Sequence, residues 1–131
     1  MRPHKTIRGH IHYTSRKPGR EGVERGREHF AITVHADGRR TLRAHCEIDD
    51  EPNVLRDVTL TKNTSWDTTD AFVRLSVGDV NTGSSWFWFG DHGADCEGWT
   101  AMRGRFSEHE AYDQRPLIFG THPIQGDAWH L

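Results

Sequence analysis

Short runs of alternating apolar and polar residues, each ended by a turn cluster, constrain this chain more than any other feature of its sequence. Clusters such as KPGREG, DDEPN and GDVNTG separate the runs, and no long segment has the 3.6-residue period of an amphipathic helix. This spacing predicts antiparallel strands. The predicted strands cover residues 5–13, 27–35, 39–49, 54–62, 70–78, 84–89, 94–101, 104–112 and 116–120. A meander of eight or nine strands loses its exposed edges by closing, so we expect an all-β, antiparallel up-and-down β-barrel.

The length of the chain predicts one domain. Its 131 residues leave room for a single core, and five Trp and six Phe supply bulky side chains for it. We therefore expect a single β-barrel domain over residues 1–131, with 115–131 as an irregular packing tail broken by Gly120, Pro123 and Gly126. The apolar residues of this tail need a surface to pack against, which is either the barrel itself or a second subunit. Because of the second option, we expect a homodimer.

Composition also indicates which partners the protein binds and in which cellular compartment it is expected. The formal net charge is −2 and the basic residues are scattered, which argues against nucleic acid as a partner. No run approaches the ~20 apolar residues that cross a bilayer, and the start of the chain does not resemble a signal peptide. Cys46 and Cys96 lack CxxC spacing and are expected to be reduced. A cytoplasmic protein is expected.

The turn Ala36-Asp37-Gly38 fixes the register of one predicted hairpin. A three-residue loop with Gly38 at a positive φ sets Ile32 opposite Leu42 and Phe30 opposite Ala44. A slip of one residue would mix apolar and polar side chains, so this register is favoured. One face is then apolar, and the other carries His29, Thr33, His35, Thr41, Arg43, His45 and Glu47.

The stretch WFWFGDHGADCEGW places aromatic rings on both faces of its predicted hairpin. A four-residue loop, Gly90 to Gly93, sets Phe89 opposite Ala94 and Phe87 opposite Cys96, as interdigitated packing requires. The opposite face then carries Trp88 beside Asp95, Trp86 beside Glu97, and Trp99.

Three explanations account for a face that carries several tryptophans, since a patch of that size is unusual on a soluble monomer. The face lines the barrel lumen, it lies outside under a second subunit or the C-terminal segment, or the register is wrong and the rings belong to the core. In the first case a carboxylate in a partly desolvated cavity has its pKa raised, which suits proton transfer near neutral pH. The predicted catalytic residues are Asp95, Glu97, His45, Arg43 and Arg74, and the predicted ligand-binding residues are Trp86, Trp88, Trp99, His29 and Glu47.

In strand number and spacing the chain resembles the lipocalin and wider calycin-like group of small antiparallel barrels. The lipocalin Gly-x-Trp near the first strand is absent, because GHIHY stands at that place. No functional residue therefore carries over. The resemblance implies a cavity for a small apolar ligand, in a group that includes passive carriers as well as barrel isomerases and cyclases.

The leading functional prediction is an enzyme that needs no cofactor. It binds an aromatic or polycyclic molecule and catalyses isomerisation, cyclisation or elimination by general acid–base chemistry. The alternatives are a non-catalytic carrier or sensor, a structural subunit whose tryptophans form an oligomer interface, and a cupin-like metal enzyme. The last would use the His10-x-His12 pair, but no carboxylate follows at the spacing that cupins need, and no metal is expected.

Overall fold

The computed structural model describes residues 4–115, and these form a single antiparallel sheet. Its eight strands follow one another in chain order, each paired with the next. They are β1 (Lys5–Thr14), β2 (Glu24–Val34), β3 (Arg40–Ile48), β4 (Val54–Lys62), β5 (Thr68–Val77), β6 (Val80–Phe89), β7 (Gly93–Thr100) and β8 (Gly104–Ala111).

The all-β, up-and-down architecture predicted from the sequence is confirmed. Eight of the predicted runs coincide with strands, although β2 and β6 begin three and four residues earlier than expected. The ninth run, 116–120, and all of the predicted tail after Arg115 lie outside the described residues. The sheet is barrel-like but open, since no pairing joins β1 to β8 within residues 4–115. None of these residues forms a helix long and apolar enough to cross a membrane.

Both predicted hairpin registers are confirmed. Ile32 pairs with Leu42 in the β2–β3 hairpin, and Gly38 has a φ of +93° in its loop. The amide of His35 donates to the carbonyl of Arg39 at 2.8 Å, which closes that loop after three residues. In the β6–β7 hairpin, Phe87 pairs with Cys96 and Trp86 with Glu97.

Leu42, Leu60 and Ala71 form the centre of the hydrophobic core, on three adjacent strands. They pair directly across β3, β4 and β5, so their side chains point to the same side of the sheet. Partly buried apolar side chains pack around them, namely Phe30, Ile32, Phe87 and Phe89. We call this side of the sheet the core face and the opposite side the outer face.

Candidate functional site

All ten residues that the sequence predicts as catalytic or ligand-binding lie on the outer face. The pairing places them in neighbouring rows across the strands. One row contains His29, His45, Asp57, Arg74, Ser84 and Trp99. The next contains Arg43, Thr59, Phe72, Trp86 and Glu97, with Trp88 and Asp95 beyond it and Glu47 on the other side. The two hairpins therefore present these side chains to the same side of the sheet.

The outer-face tryptophans contact one another and remain partly exposed. The rings of Trp86 and Trp88 stack with centroids 6.0 Å apart, and Phe72 lies 4.9 Å from Trp86. Trp86, Trp88 and Trp99 are 45%, 42% and 38% exposed. Because the register is confirmed, an error in register is excluded as the reason for their position. They also lie on the opposite side of the sheet from Leu42 and Leu60.

The two acidic residues beside these tryptophans face solvent. The carboxylate of Asp95 is 2.8 Å from Nδ1 of His109, and the Asp95 side chain is 64% exposed. Glu97 is likewise exposed. The tryptophans therefore do not enclose the carboxylates within the described part of the chain.

His45 is held between two carboxylates on the outer face. Its Nδ1 is 2.7 Å from Asp57 and its Nε2 is 3.0 Å from Glu47, while Arg27 donates to Glu47 at 2.5 Å. Burial lowers the pKa of His45, but the hydrogen bonds to Asp57 and Glu47 outweigh it, so the pKa is raised. The pKa of Glu47 is lowered by its bonds to His45 and Arg27. Since both ring nitrogens are engaged, the geometry makes His45 a clasp between β3 and β4.

The His45 clasp predicts a pH-dependent contribution to stability. A pKa raised in the folded state gives stability that is complete below the ordinary value of 6.5 and is lost as pH rises through the folded-state value. Because the side chain is 39% exposed, we expect His45→Gln to cost about 1 kcal/mol or less near pH 6. Urea unfolding from pH 5 to 9 should show this cost shrinking as pH rises. His10→Gln is the control, and a cost that does not vary with pH would contradict the clasp.

A shallow hollow of about 360 Å³ adjoins the clasp. Four ionisable residues line it: His29, Arg43, His45 and Asp57. The ring of His29 is 6.0 Å from that of His10 and makes no hydrogen bond to another described residue. Of the two imidazoles in this hollow, His29 is therefore the one with nitrogens open to a bound molecule.

A larger, apolar cavity lies on the core face, between β5, β6 and the β7–β8 turn. It has a volume of about 600 Å³, and Val73, Leu75 and Phe87 supply its apolar wall. The remaining lining residues are Thr82, Gly83, Ser84, Ser85, Thr100, Met102 and Arg103. The sequence analysis missed this cavity. Its signal is the small-residue run Thr82 to Ser85, which cannot fill the space beside Val73 and Leu75.

Arg103 is the one charged residue among the described residues that line this cavity. Its Nη2 is 2.6 Å from Oε1 of Glu108, and its guanidinium lies 4.7 Å from the centre of the Phe106 ring. The amide of Arg103 donates to Oγ1 of Thr100 at 3.1 Å, which fixes the turn that carries it. Burial raises the pKa of the nearby Cys96 thiol, which is therefore neutral at pH 7.

Glu28 is a wholly buried carboxyl group on the core face that the sequence analysis did not single out. Tyr13 donates to it at 2.7 Å, and the same hydroxyl lies 3.7 Å from the sulfur of Cys46. Burial is the largest cause that raises the pKa of Tyr13, followed by the bond to Glu28. Neither Glu28 nor Tyr13 lines the cavity. The sequence does contain a signal for the position of Glu28: it is two residues from Phe30 and therefore lies on the same face of β2.

The histidines of the GHIHY stretch lie side by side, with the His10 and His12 rings 5.2 Å apart and perpendicular. Within residues 4–115, no group of three or more His, Cys, Asp or Glu side chains is arranged to hold a metal ion.

Fold and site together define an antiparallel β-meander with an apolar cavity on its core face and an aromatic, ionisable outer face. No protein-family model matches the chain, and neither the curated proteins nor the solved structures contain a match to it.

Proposed function

We propose that this protein binds a small, largely apolar molecule, aromatic or polycyclic, in the core-face cavity. The observation that carries the proposal is the apolar wall of Val73, Leu75 and Phe87 along an open cavity of about 600 Å³. Ligand sites are commonly concavities of roughly 300–1,000 Å³ with apolar walls and few polar groups. The resemblance to calycin-like carriers supports the same assignment.

The shape of the wall favours a flat ligand. The rings of Phe87 and Phe89 are nearly parallel, with an interplanar angle of 8°. Of the two, the Phe87 ring lines the cavity. A planar ring packs against such a surface with little loss of conformational entropy. The hydroxyls of Ser85 and Thr100 supply polar contacts beside it.

A fluorescence titration with N-phenyl-1-naphthylamine tests this proposal. This neutral dye brightens when it leaves water, and we expect saturable binding at one site with a Kd in the micromolar range. A competing apolar ligand should reverse the signal. Emission that stays unchanged, or that rises without saturation, would contradict a defined cavity.

A second candidate function is general acid–base catalysis without a cofactor, at the hollow on the outer face. The observation that favours it is the free imidazole of His29 beside Arg43, with Asp57 in the same hollow. His29 would accept a proton and Arg43 would stabilise the developing negative charge. The neighbouring tryptophans would form the wall on which a flat substrate rests, and Trp86 is the one in the same cross-strand row as Arg43.

The test substrate for this second function is 5-nitrobenzisoxazole, a flat heterocycle whose ring opens once a base removes its carbon-bound proton. We expect measurable turnover, reduced at least about tenfold in His29→Gln and unchanged in His10→Gln. The exposed pair of Asp95→Asn and Glu97→Gln tests the carboxylates predicted from the sequence. Equal turnover in all four variants would contradict catalysis on this face.

The compartment and assembly predicted from the sequence remain part of the proposal. Two free cysteines, Cys46 and Cys96, support a reducing and hence cytoplasmic location. A homodimer that covers the outer-face tryptophans is consistent with their exposure. Light scattering of the purified protein measures this assembly directly.

A further inference from the structure

We propose that the ligand of the core-face cavity carries one anionic group, and that Arg103 binds this group at the rim in exchange for Glu108. The inference rests on the proposed ligand binding and names the class of ligand as an apolar organic anion. Its physical basis is a single guanidinium at the edge of a lining that is otherwise uncharged within residues 4–115.

The position of Arg103 suits it to hold a ligand at the mouth of the cavity. Its backbone is tied to Thr100, and its guanidinium rests against the Phe106 ring. A guanidinium stacked on a ring keeps its planar donors directed outward, where they match the two oxygens of a carboxylate or sulfonate.

The existing partner of Arg103 leaves donors for such a group. Glu108 contacts one terminal nitrogen, Nη2, and the other nitrogens make no hydrogen bond to a described residue. The two side chains are 55% and 54% exposed, so water screens their attraction. Exposed ion pairs of this kind contribute little to stability, which makes exchange of Glu108 for a ligand anion inexpensive.

None of the described residues that line the cavity carries a negative charge that would repel a ligand anion. Glu108 is not itself a lining residue, and the Cys96 thiol stays protonated because burial raises its pKa. An anion that takes the place of Glu108 beside Arg103 meets the positive charge of the guanidinium and the hydroxyl groups of Ser85 and Thr100. The apolar part of the same molecule reaches Val73 and Leu75.

Two dyes that differ by one sulfonate test the inference. They are N-phenyl-1-naphthylamine and 8-anilinonaphthalene-1-sulfonate, which share the same aromatic rings. We expect the wild-type protein to bind the sulfonate roughly threefold to fivefold more tightly than the neutral dye, as a partly exposed ion pair allows. Arg103→Gln should abolish this preference while the affinity for the neutral dye stays within about twofold. Glu108→Gln should tighten binding of the sulfonate, because it removes the competing carboxylate.

Arg105→Gln is the matched control and should leave both affinities unchanged, because Arg105 pairs with Trp99 and so lies on the outer face two residues from Arg103. Near-UV circular dichroism confirms the fold of each variant. Equal affinities for the two dyes, or a preference that survives Arg103→Gln, would overturn the inference while the cavity still binds the neutral dye. A preference lost in Arg105→Gln would also overturn it, since the anion would then lie on the outer face. Failure of both dyes to bind would overturn the proposed function, and this inference with it.

Discussion

Leu75→Trp is expected to weaken binding of N-phenyl-1-naphthylamine by at least about thirtyfold, which corresponds to roughly 2 kcal/mol. Leu75 lines the core-face cavity and pairs with Arg56 on β4. The larger indole would occupy the volume that the ligand needs, and the void beside Leu75 accepts it without displacing Leu42 or Leu60. The affinity loss follows because the ligand no longer removes its apolar surface from water.

The control for this variant is Leu55→Trp. Leu55 lies on the neighbouring strand β4, next to the residue that pairs with Leu75, and it pairs with Ser76 and Glu47, so the same indole is placed on the outer face. We expect its affinity to stay within about twofold of wild type, because it leaves the cavity unchanged. Val73→Phe provides a second filling of the cavity in case Leu75→Trp does not fold. Unchanged binding in both cavity variants would place the dye elsewhere.

Leu60→Ala is expected to lower the free energy of unfolding by about 2–5 kcal/mol. Leu60 is fully buried between Leu42 and Ala71, its partners on β3 and β5. Ala71 is too small to fill the void, and Leu42 is held by its own neighbours in the core. The removed methyl groups therefore leave a cavity in addition to the lost burial of apolar surface.

Urea unfolding at pH 7 measures this loss, and Leu55→Ala is its matched control. Leu55 is partly exposed on the outer face, so the same truncation there should cost less than about 1.5 kcal/mol. Equal costs at the two positions would contradict the assignment of the core to the face that carries Leu60. That assignment also decides on which side the ligand cavity lies.

The strands and both hairpin registers were predictable because their signals are local. Gly38 ends a three-residue loop at positive φ, and alternation on both sides of that loop permits only one pairing. The Gly90–Gly93 loop likewise fixes the register of the β6–β7 hairpin, in which Phe87 pairs with Cys96. These signals depend on the turn and its flanking residues, so no tertiary information was needed.

The face that carries the ligand cavity could not be predicted in the same way. The run Trp86 to Phe89 places large aromatic rings on both faces, so alternation does not say which of them meets the core. Phe87 pairs directly with Ala71 on β5, but it is brought to the same face as Leu42 only through the pairing of β5 with β4 and of β4 with β3, which is a property of the whole sheet. The cavity likewise depends on small residues of β6 facing Val73 and Leu75 across strands.

The most direct test of the account is an NMR structure-mapping experiment on isotope-labelled protein saturated with N-phenyl-1-naphthylamine. Intermolecular NOEs should connect the dye to the methyl groups of Val73 and Leu75 and to the Phe87 ring, because these form the wall of the core-face cavity. NOEs to the indoles of Trp86 and Trp88, with none to Val73 or Leu75, would show that the ligand binds on the outer face. That result would contradict the central claim.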